Sequence, residues 1–327
     1  MPKELSYELL LERGVCKGQR HKAEPMDKYL SRQTHLSLDA RKLKRMGTAL
    51  QACPRLEVLY LFDNSLESLE GLNLPLLTHL YVQNNQLREG PELAIALSTM
   101  RNLQKLYIGC NQLSDLAPLC VLSSLEELHA GGQRGSGPLM LPPELEQLQR
   151  LRVLLVANNG LTDLTPLSVL GSLEKLDASG NMVSEMADVA PMLSRTPRLQ
   201  TLDLRGCPLS KRRQMLDAVI VCGRSLTELN GREITKSERP YLQALERTGR
   251  RTLSPSSGLR NGGPRISPPR SGLGASPDTD SGLGPSPDPL GPLGPSQPGS
   301  MVSAGTLDSS PAMLVGQQMH GAMSPLT

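Results

Sequence analysis

The chain has 327 residues, 38% of them hydrophobic, with no Trp, one Phe and a formal charge of +3 at pH 7. So small a charge excludes a general electrostatic case for nucleic acid, and the near-absence of aromatics excludes a conventional mixed core in favour of an aliphatic one. The length permits two domains, and no apolar run is long enough to cross a membrane.

Residues 1–33 form a lead-in. Glu4, Glu8 and Glu12 interrupt any apolar run that a secretory signal would need. Residues 4–13 predict a short amphipathic helix with Leu5, Leu9 and Tyr7 on its apolar side, placed as an N-terminal cap. The basic stretch from Lys17 to Lys28 and the cluster Arg41-Lys-Leu-Lys-Arg45 read as solvated faces, because no aromatic residues interleave with the charges as single-strand binding would require. The six cysteines (16, 53, 110, 120, 207 and 222) form no C-x-x-C pair and read as reduced thiols of an intracellular protein.

From residue 34 to 209 one spacing recurs. Leu56-Glu-Val-Leu59-Tyr-Leu61-Phe-Asp-Asn64-Ser-Leu66 has the form L-x-x-L-x-L-x-x-N-x-L, and residues 77–87, 103–113, 151–161, 173–183 and 199–209 fit the same frame. Weaker copies hold Leu36, Leu38 and Leu43, and Leu125, Leu128 and Gln133. The ninth positions (Arg41, Asn64, Asn85, Asn111, Gln133, Asn159, Asn181, Cys207) are 23, 21, 26, 22, 26, 22 and 26 residues apart. This resembles the leucine-rich repeat. It predicts an α/β solenoid of eight repeats, with a curved parallel sheet on the concave face and short helices and turns on the convex face. No unit buries its leucines alone, so each repeat is stabilised by the next and the ends need caps.

The similar segments Asp115-Leu-Ala-Pro-Leu119 and Asp163-Leu-Thr-Pro-Leu167 return the chain along the convex side, where proline suits a first helical turn. In the longer units, Pro91 to Met100 and Met186 to Ser194 are long enough for real helices. Gly131-Gly-Gln-Arg-Gly-Ser-Gly-Pro138 breaks the leucine pattern. It lacks the spacing and the G-K-[ST] ending of a phosphate loop, so it reads as a flexible bulge. Residues 210–250 form a C-terminal cap: Ser210 begins a helix carrying Met215, Leu216, Val219 and Ile220 that ends at Gly223, then a strand-like Leu226 to Ile234, then a helix near Pro240. Residues 251–327 hold 13 of the 27 prolines and 13 of the 30 glycines with no aromatic, a composition that predicts a disordered tail. Ser254, Ser267, Ser276, Ser286, Ser310 and Ser324 each precede a proline there and are candidate phosphorylation sites.

Strand side chains alternate faces, which identifies the outward residues. A central column reads Ser37, Tyr60, Tyr81, Tyr107, His129, Leu155, Asp177, Asp203. Beside it lie His35, Val58, His79, Lys105, Glu127, Val153, Lys175 and Thr201 on one side, with Asp39, Phe62 and Gln83 on the other. Four of the seven Phe and Tyr residues fall in this patch, and aromatic rings on a rigid surface are typical protein-binding anchors. Tyr60, Phe62, His79, Tyr81, Lys105, Tyr107, Glu127, His129, Asp177 and Asp203 are therefore the candidate protein-binding residues. His79 and His129 sit two strands apart, too far to share a zinc ion. No triad, Cys-His or paired-carboxylate arrangement is readable, so neither catalysis nor a cofactor nor a metal is expected.

The short repeats, the series Tyr60-Leu-Phe-Asp-Asn64, Tyr81-Val-Gln-Asn-Asn85 and Tyr107-Ile-Gly-Cys-Asn111, the irregular Leu128-His-Ala-Gly-Gly-Gln133 and the closing Leu226-Thr-Glu-Leu-Asn-Gly231 resemble leucine-rich-repeat regulators of protein phosphatase-1 over roughly residues 1–250. The resemblance implies binding of the protein phosphatase-1 catalytic subunit and a cytoplasmic place at the centrosome or microtubule-organising centre. Asn230 stands where such regulators usually carry Asp. The short [KR]-x-[VI]-x-[FW] docking segment of many phosphatase-1 regulators is absent, since Phe62 follows Val58-Leu-Tyr-Leu, so the concave face would have to do the binding. Two other readings stay open: a centrosomal or ciliary scaffold binding tubulin or motor proteins, and an adaptor for an RNA-binding protein. None needs direct contact with nucleic acid or membrane.

Overall fold

The computed structural model describes residues 4–16, 20 and 23–248. The tail with its six Ser-Pro serines, and most of the basic stretch from Lys17 to Lys22, lie outside the described residues. Among those described, eleven short strands follow one another in a single sheet: β1 (Val15–Cys16), β2 (His35–Ser37), β3 (Val58–Tyr60), β4 (His79–Tyr81), β5 (Lys105–Tyr107), β6 (Glu127–His129), β7 (Val153–Leu155), β8 (Lys175–Asp177), β9 (Thr201–Asp203), β10 (Glu228–Leu229) and β11 (Arg232–Glu233). From β2 to β10 the pairs are parallel, with the middle leucines Leu36, Leu59, Leu80, Leu106, Leu128, Leu154, Leu176 and Leu202 in register. Each of these eight is 0% exposed. Parallel neighbours need a crossover, and the return segments on the convex side supply it.

The asparagines stitch one coil to the next. Asn111 Nδ2 donates to the Val82 and Ile108 carbonyls at 3.0 and 2.9 Å, and its Oδ1 accepts from the Leu87 N–H at 3.0 Å. Asn64, Asn85, Asn159 and Asn181 make equivalent bonds. Such a side chain satisfies buried backbone groups that no strand partner reaches. Gln133 takes the role in the fifth unit, accepting from the Leu113 N–H at 3.1 Å and donating to the Ile108 carbonyl at 2.9 Å. The Cys207 thiol donates to the Ala178 carbonyl in the eighth.

The glycine-rich stretch is not the flexible bulge expected from its composition. Gly132 and Arg134 N–H donate to Ala157 and Asn111 carbonyls at 2.8 and 2.7 Å, Leu139 N–H donates to Asn159 at 3.0 Å, and Met140 bridges Asp115. Main-chain bonds to both neighbouring coils replace the missing leucine contacts. On the convex side the 22-residue steps use 3-10 turns, Ala117–Val121 and Thr165–Val169, each with proline in its first turn. Two of the 26-residue steps use the helices α3 (Pro91–Ser98) and α4 (Ala190–Arg195).

Both ends are capped. The helix α1 (Tyr7–Arg13) begins at Ser6, whose Oγ accepts from the Leu9 N–H. It starts later than the sequence pattern indicates, and its buried face differs: Leu5, on the extended lead-in, and Leu10 are buried, while Leu9 is half-buried and Tyr7 exposed. The Tyr7 hydroxyl instead reaches Asp27 at 2.5 Å. A second cap helix, α2 (Met26–Ser31), buries Leu30. At the other end Ser210 is not a helix cap. It lies within a 3-10 turn, Pro208–Lys211, where its hydroxyl donates to the Cys207 carbonyl at 2.7 Å. The helix α5 (Arg213–Cys222) comes next and ends at Gly223. The helix α6 (Glu238–Arg247) packs beside it, and its Arg239 donates to the carbonyls of Ile220, Gly223 and Leu226 at 2.9, 2.9 and 2.7 Å.

Candidate functional site

Parallel strands in register place equivalent side chains about 4.8 Å apart, close to the distance at which aromatic rings stack. One tyrosine per repeat at the same strand position therefore builds a continuous pile. Tyr60 and Tyr81 stack with centroids 4.6 Å apart, Tyr81 and Tyr107 at 4.4 Å, and Tyr107 meets the His129 ring at 4.0 Å with a 40° tilt. Phe62 and Tyr60 meet at right angles with centroids 6.4 Å apart. Ring faces are thus occupied by one another, and the ladder offers its edges and polar tips to the concave side.

Beside those tips Lys105 Nζ donates to the Glu127 carboxylate at 2.6 Å. Burial, reinforced by the neighbouring Tyr107 and Tyr60, pushes the Tyr81 hydroxyl up to about 12, and burial with Glu127 beside it pushes Tyr107 up as well.

The histidines belong to the same surface. The Thr78 hydroxyl sits 2.9 Å from the Glu57 carbonyl and 2.8 Å from His79 Nδ1, which orients the His79 ring. Burial, then the charge of Lys105, lowers the His79 pKa, and burial lowers that of His129. Among the described residues no group of three His, Cys, Asp or Glu side chains is placed to hold a metal ion.

Eight of the ten candidate residues, Tyr60 through His129, come together, seven on β3 to β6 and Phe62 just past the end of β3. Asp177 and Asp203 stand two and three strands beyond His129, on β8 and β9. Neither is a bare carboxylate. Asp177 accepts from the Ser179 N–H at 3.0 Å, and Asp203 accepts from Arg205 Nε at 2.9 Å and from the Arg205 N–H at 2.9 Å. Burial acts to raise the Asp203 carboxyl, but the hydrogen bonds and charge of Arg205 outweigh it and hold the group below its ordinary value.

Beside the ladder runs a trough that the sequence reading missed. One position past the second leucine of each strand segment stand Asp39, Phe62, Gln83, Gly109, Gly131, Ala157, Ser179 and Arg205. The outward column recognised from the sequence ends at Gln83, yet the same spacing identifies the four small residues after it. A Cβ on Gly109 would lie 2.9 Å from the Gly131 carbonyl oxygen, and one on Gly131 would lie 3.1 Å from that of Ala157. The floor here is backbone, with Phe62 and Gln83 at one end and Arg205 at the other.

Residues 54–93, which carry β3, β4, Asn64 and Asn85, match the family described as Leucine Rich repeats (2 copies). The chain has a leucine-rich-repeat fold. Part of this leucine-rich-repeat chain is similar to Geranylgeranyl transferase type-2 subunit alpha of Homo sapiens and of Pongo abelii, 38% identical over 100 residues in each case. That stretch is 29% of this chain and 16% of each subunit, so the chain spans under a fifth of the curated relatives it matches. Solved structures similar to the leucine-rich-repeat solenoid include two proteins of Listeria monocytogenes str. 4b F2365. One is an internalin (inlF), 21% identical with a TM-score of 0.50 over 64% of each chain. The other is internalin C2 (inlC2), 24% identical with a TM-score of 0.50 over 62% of this chain and 82% of that one. At such identities the likeness is one of fold.

Proposed function

We propose that the chain is a non-catalytic protein-binding module that docks its partner on the concave aromatic ladder. The stacking of Tyr60, Tyr81, Tyr107 and His129 carries this reading. The rings are already ordered, so a partner buries rigid amphipathic surface at little entropic cost. A core role would have hidden these residues, yet each stays half-exposed on the open side of the sheet.

The partner proposed is the catalytic subunit of protein phosphatase-1, with the chain acting as its regulatory or targeting subunit at the centrosome or microtubule-organising centre. The support is the resemblance of the repeat series, the irregular fifth unit and the closing block to regulators of that enzyme. The test is binding of the purified phosphatase catalytic subunit to the full chain and to a Tyr60→Ala/Tyr81→Ala/Tyr107→Ala variant. The expected result is saturable binding by the parent and its loss in the variant. Equal binding by both would move the site off the ladder. No binding by the parent, with binding to purified tubulin, would replace the phosphatase by a cytoskeletal partner.

A further inference from the structure

Resting on the concave-docking reading, we propose that the ladder and its trough together form a seat for a single α-helix of the partner, laid across the strands, apolar along the ladder and basic at the end over β8 to β10. Three observations carry it.

The first is the repeat distance. Tyr60, Tyr81 and Tyr107 rise in steps of 4.6 and 4.4 Å. Side chains at i, i+3 and i+7 share one helix face and lie about 4.5 and 10.5 Å along its axis from the first, so the second matches its ring and the third is within about 1.5 Å of its own. Same-face side chains of an extended segment repeat at about 6.6 Å and are about 4 Å out of step at the third ring.

The second is shape. The ladder is a ridge over β3 to β6, and Gly109, Gly131, Ala157 and Ser179 make a depression one side-chain position away over β5 to β8, so the two lie side by side at β5 and β6. Alternate residues of a strand are about 6.7 Å apart, so ridge and trough together are as wide as a helix of about 10 Å diameter. A flat polypeptide would fill the trough and leave the ridge uncovered, whereas a cylinder rests on both.

The third is charge. In the aromatic half Lys105 neutralises Glu127, leaving an apolar strip. At the far end Arg205 neutralises Asp203, and Lys175 stands with two further carboxylates, Asp177 and Glu228. The excess there is negative and fits a lysine or arginine of the helix. The distance from β3 to β9, at about 4.8 Å per strand, corresponds to a helix of about 20 residues.

The experiment is selection of random peptides of about 20 residues displayed against the full chain, followed by affinity and circular dichroism measurements on synthetic binders. The expected binders have apolar residues at i, i+3 and i+7 and a basic residue near one end. They gain helicity on binding and lose at least about tenfold in affinity when a central residue becomes proline. Ala157→Leu, which fills the trough without touching the ladder, is expected to weaken them about tenfold at an unchanged melting temperature. Binders that stay extended, tolerate proline or ignore Ala157→Leu, yet are lost on the triple tyrosine variant, overturn the helix while leaving the docking face standing. Binders indifferent to the tyrosines overturn the face itself, and a selection that yields no binder counts against both.

Discussion

Tyr81 and Tyr107 lie face to face across β4 and β5, with centroids 4.4 Å apart and planes 17° from parallel. The register Tyr81↔Tyr107 comes from the leucines beneath, Leu80↔Leu106, so the stack is a consequence of the core rather than a cause of it. Replacing both tyrosines by Ala, singly and together, is expected to give a coupling energy of about 0.5 to 1.5 kcal/mol in denaturant unfolding. By contrast Leu106→Ala, on the opposite face of the same strand, is expected to cost about 2 to 5 kcal/mol because it leaves a cavity. A tyrosine pair as costly as the leucine would show that the ladder holds the solenoid together.

The asparagine row makes a separate prediction. Asn111 is 0% exposed and serves donors and acceptors of two coils. Asn111→Ala leaves the Leu87 N–H buried without its partner and takes from the Val82 carbonyl one of two bonds, the other coming from Asn85 Nδ2, at an expected cost of about 1 to 3 kcal/mol. Hydrogen exchange should show new openings at Leu87 and its neighbours. Unchanged protection there would mean that water substitutes for the side chain.

Acid should loosen the aromatic patch. The pKa values of His79 and His129 are lowered in the folded state by burial, so the unfolded chain binds more protons below about 6.5. Stability therefore falls as the pH drops through 6.5 towards the folded values, and is restored above it. Melting temperature measured from pH 7.5 to 5 should decline, and a His79→Gln/His129→Gln variant should decline less. A variant with the same slope as the parent would assign the acid sensitivity to other groups.

Arg239 locks α6 to the end of α5. Its planar fork meets three carbonyls at once, a geometry that a single ammonium cannot copy. Arg239→Lys is expected to lose about 1 to 3 kcal/mol, nearly as much as Arg239→Ala, with fraying of α6 seen by proteolysis. Full rescue by lysine would reduce the contact to a matter of charge.

What could be read from the sequence is whatever repeats. The leucine spacing marks the strands because side chains alternate with a period of two, and the same frame names Tyr60, Tyr81, Tyr107 and His129 as one column. What could not be read depends on single contacts between residues distant in the chain. The two-residue strands β1 and β11 have no periodicity to detect, and α2 is too short for a pattern. Ser210 has the right residue type for a helix start, but Cys207 offers its hydroxyl a nearer partner. Glycine content at 131–138 suggests freedom, while the backbone of adjacent coils is free to bond there. The trough is legible in principle, since it obeys the same frame as the ladder, but glycine and alanine attract no attention when side chains are being sought.

The two flanking strands have a consequence for the molecule as a polymer. Stacked, in-register parallel strands are the geometry of a fibril, and an open end would be a template for another chain. Here the chain reverses at both ends: β1 runs antiparallel to β2 and β11 antiparallel to β10. The outer strand β11 is only two residues long, Arg232 and Glu233, both exposed, and Arg232 is further clamped by Glu238 at 3.1 and 2.6 Å. A newcomer would meet charge and a reversed strand direction where growth needs a long, neutral, parallel rim, so this edge is closed to end-to-end assembly.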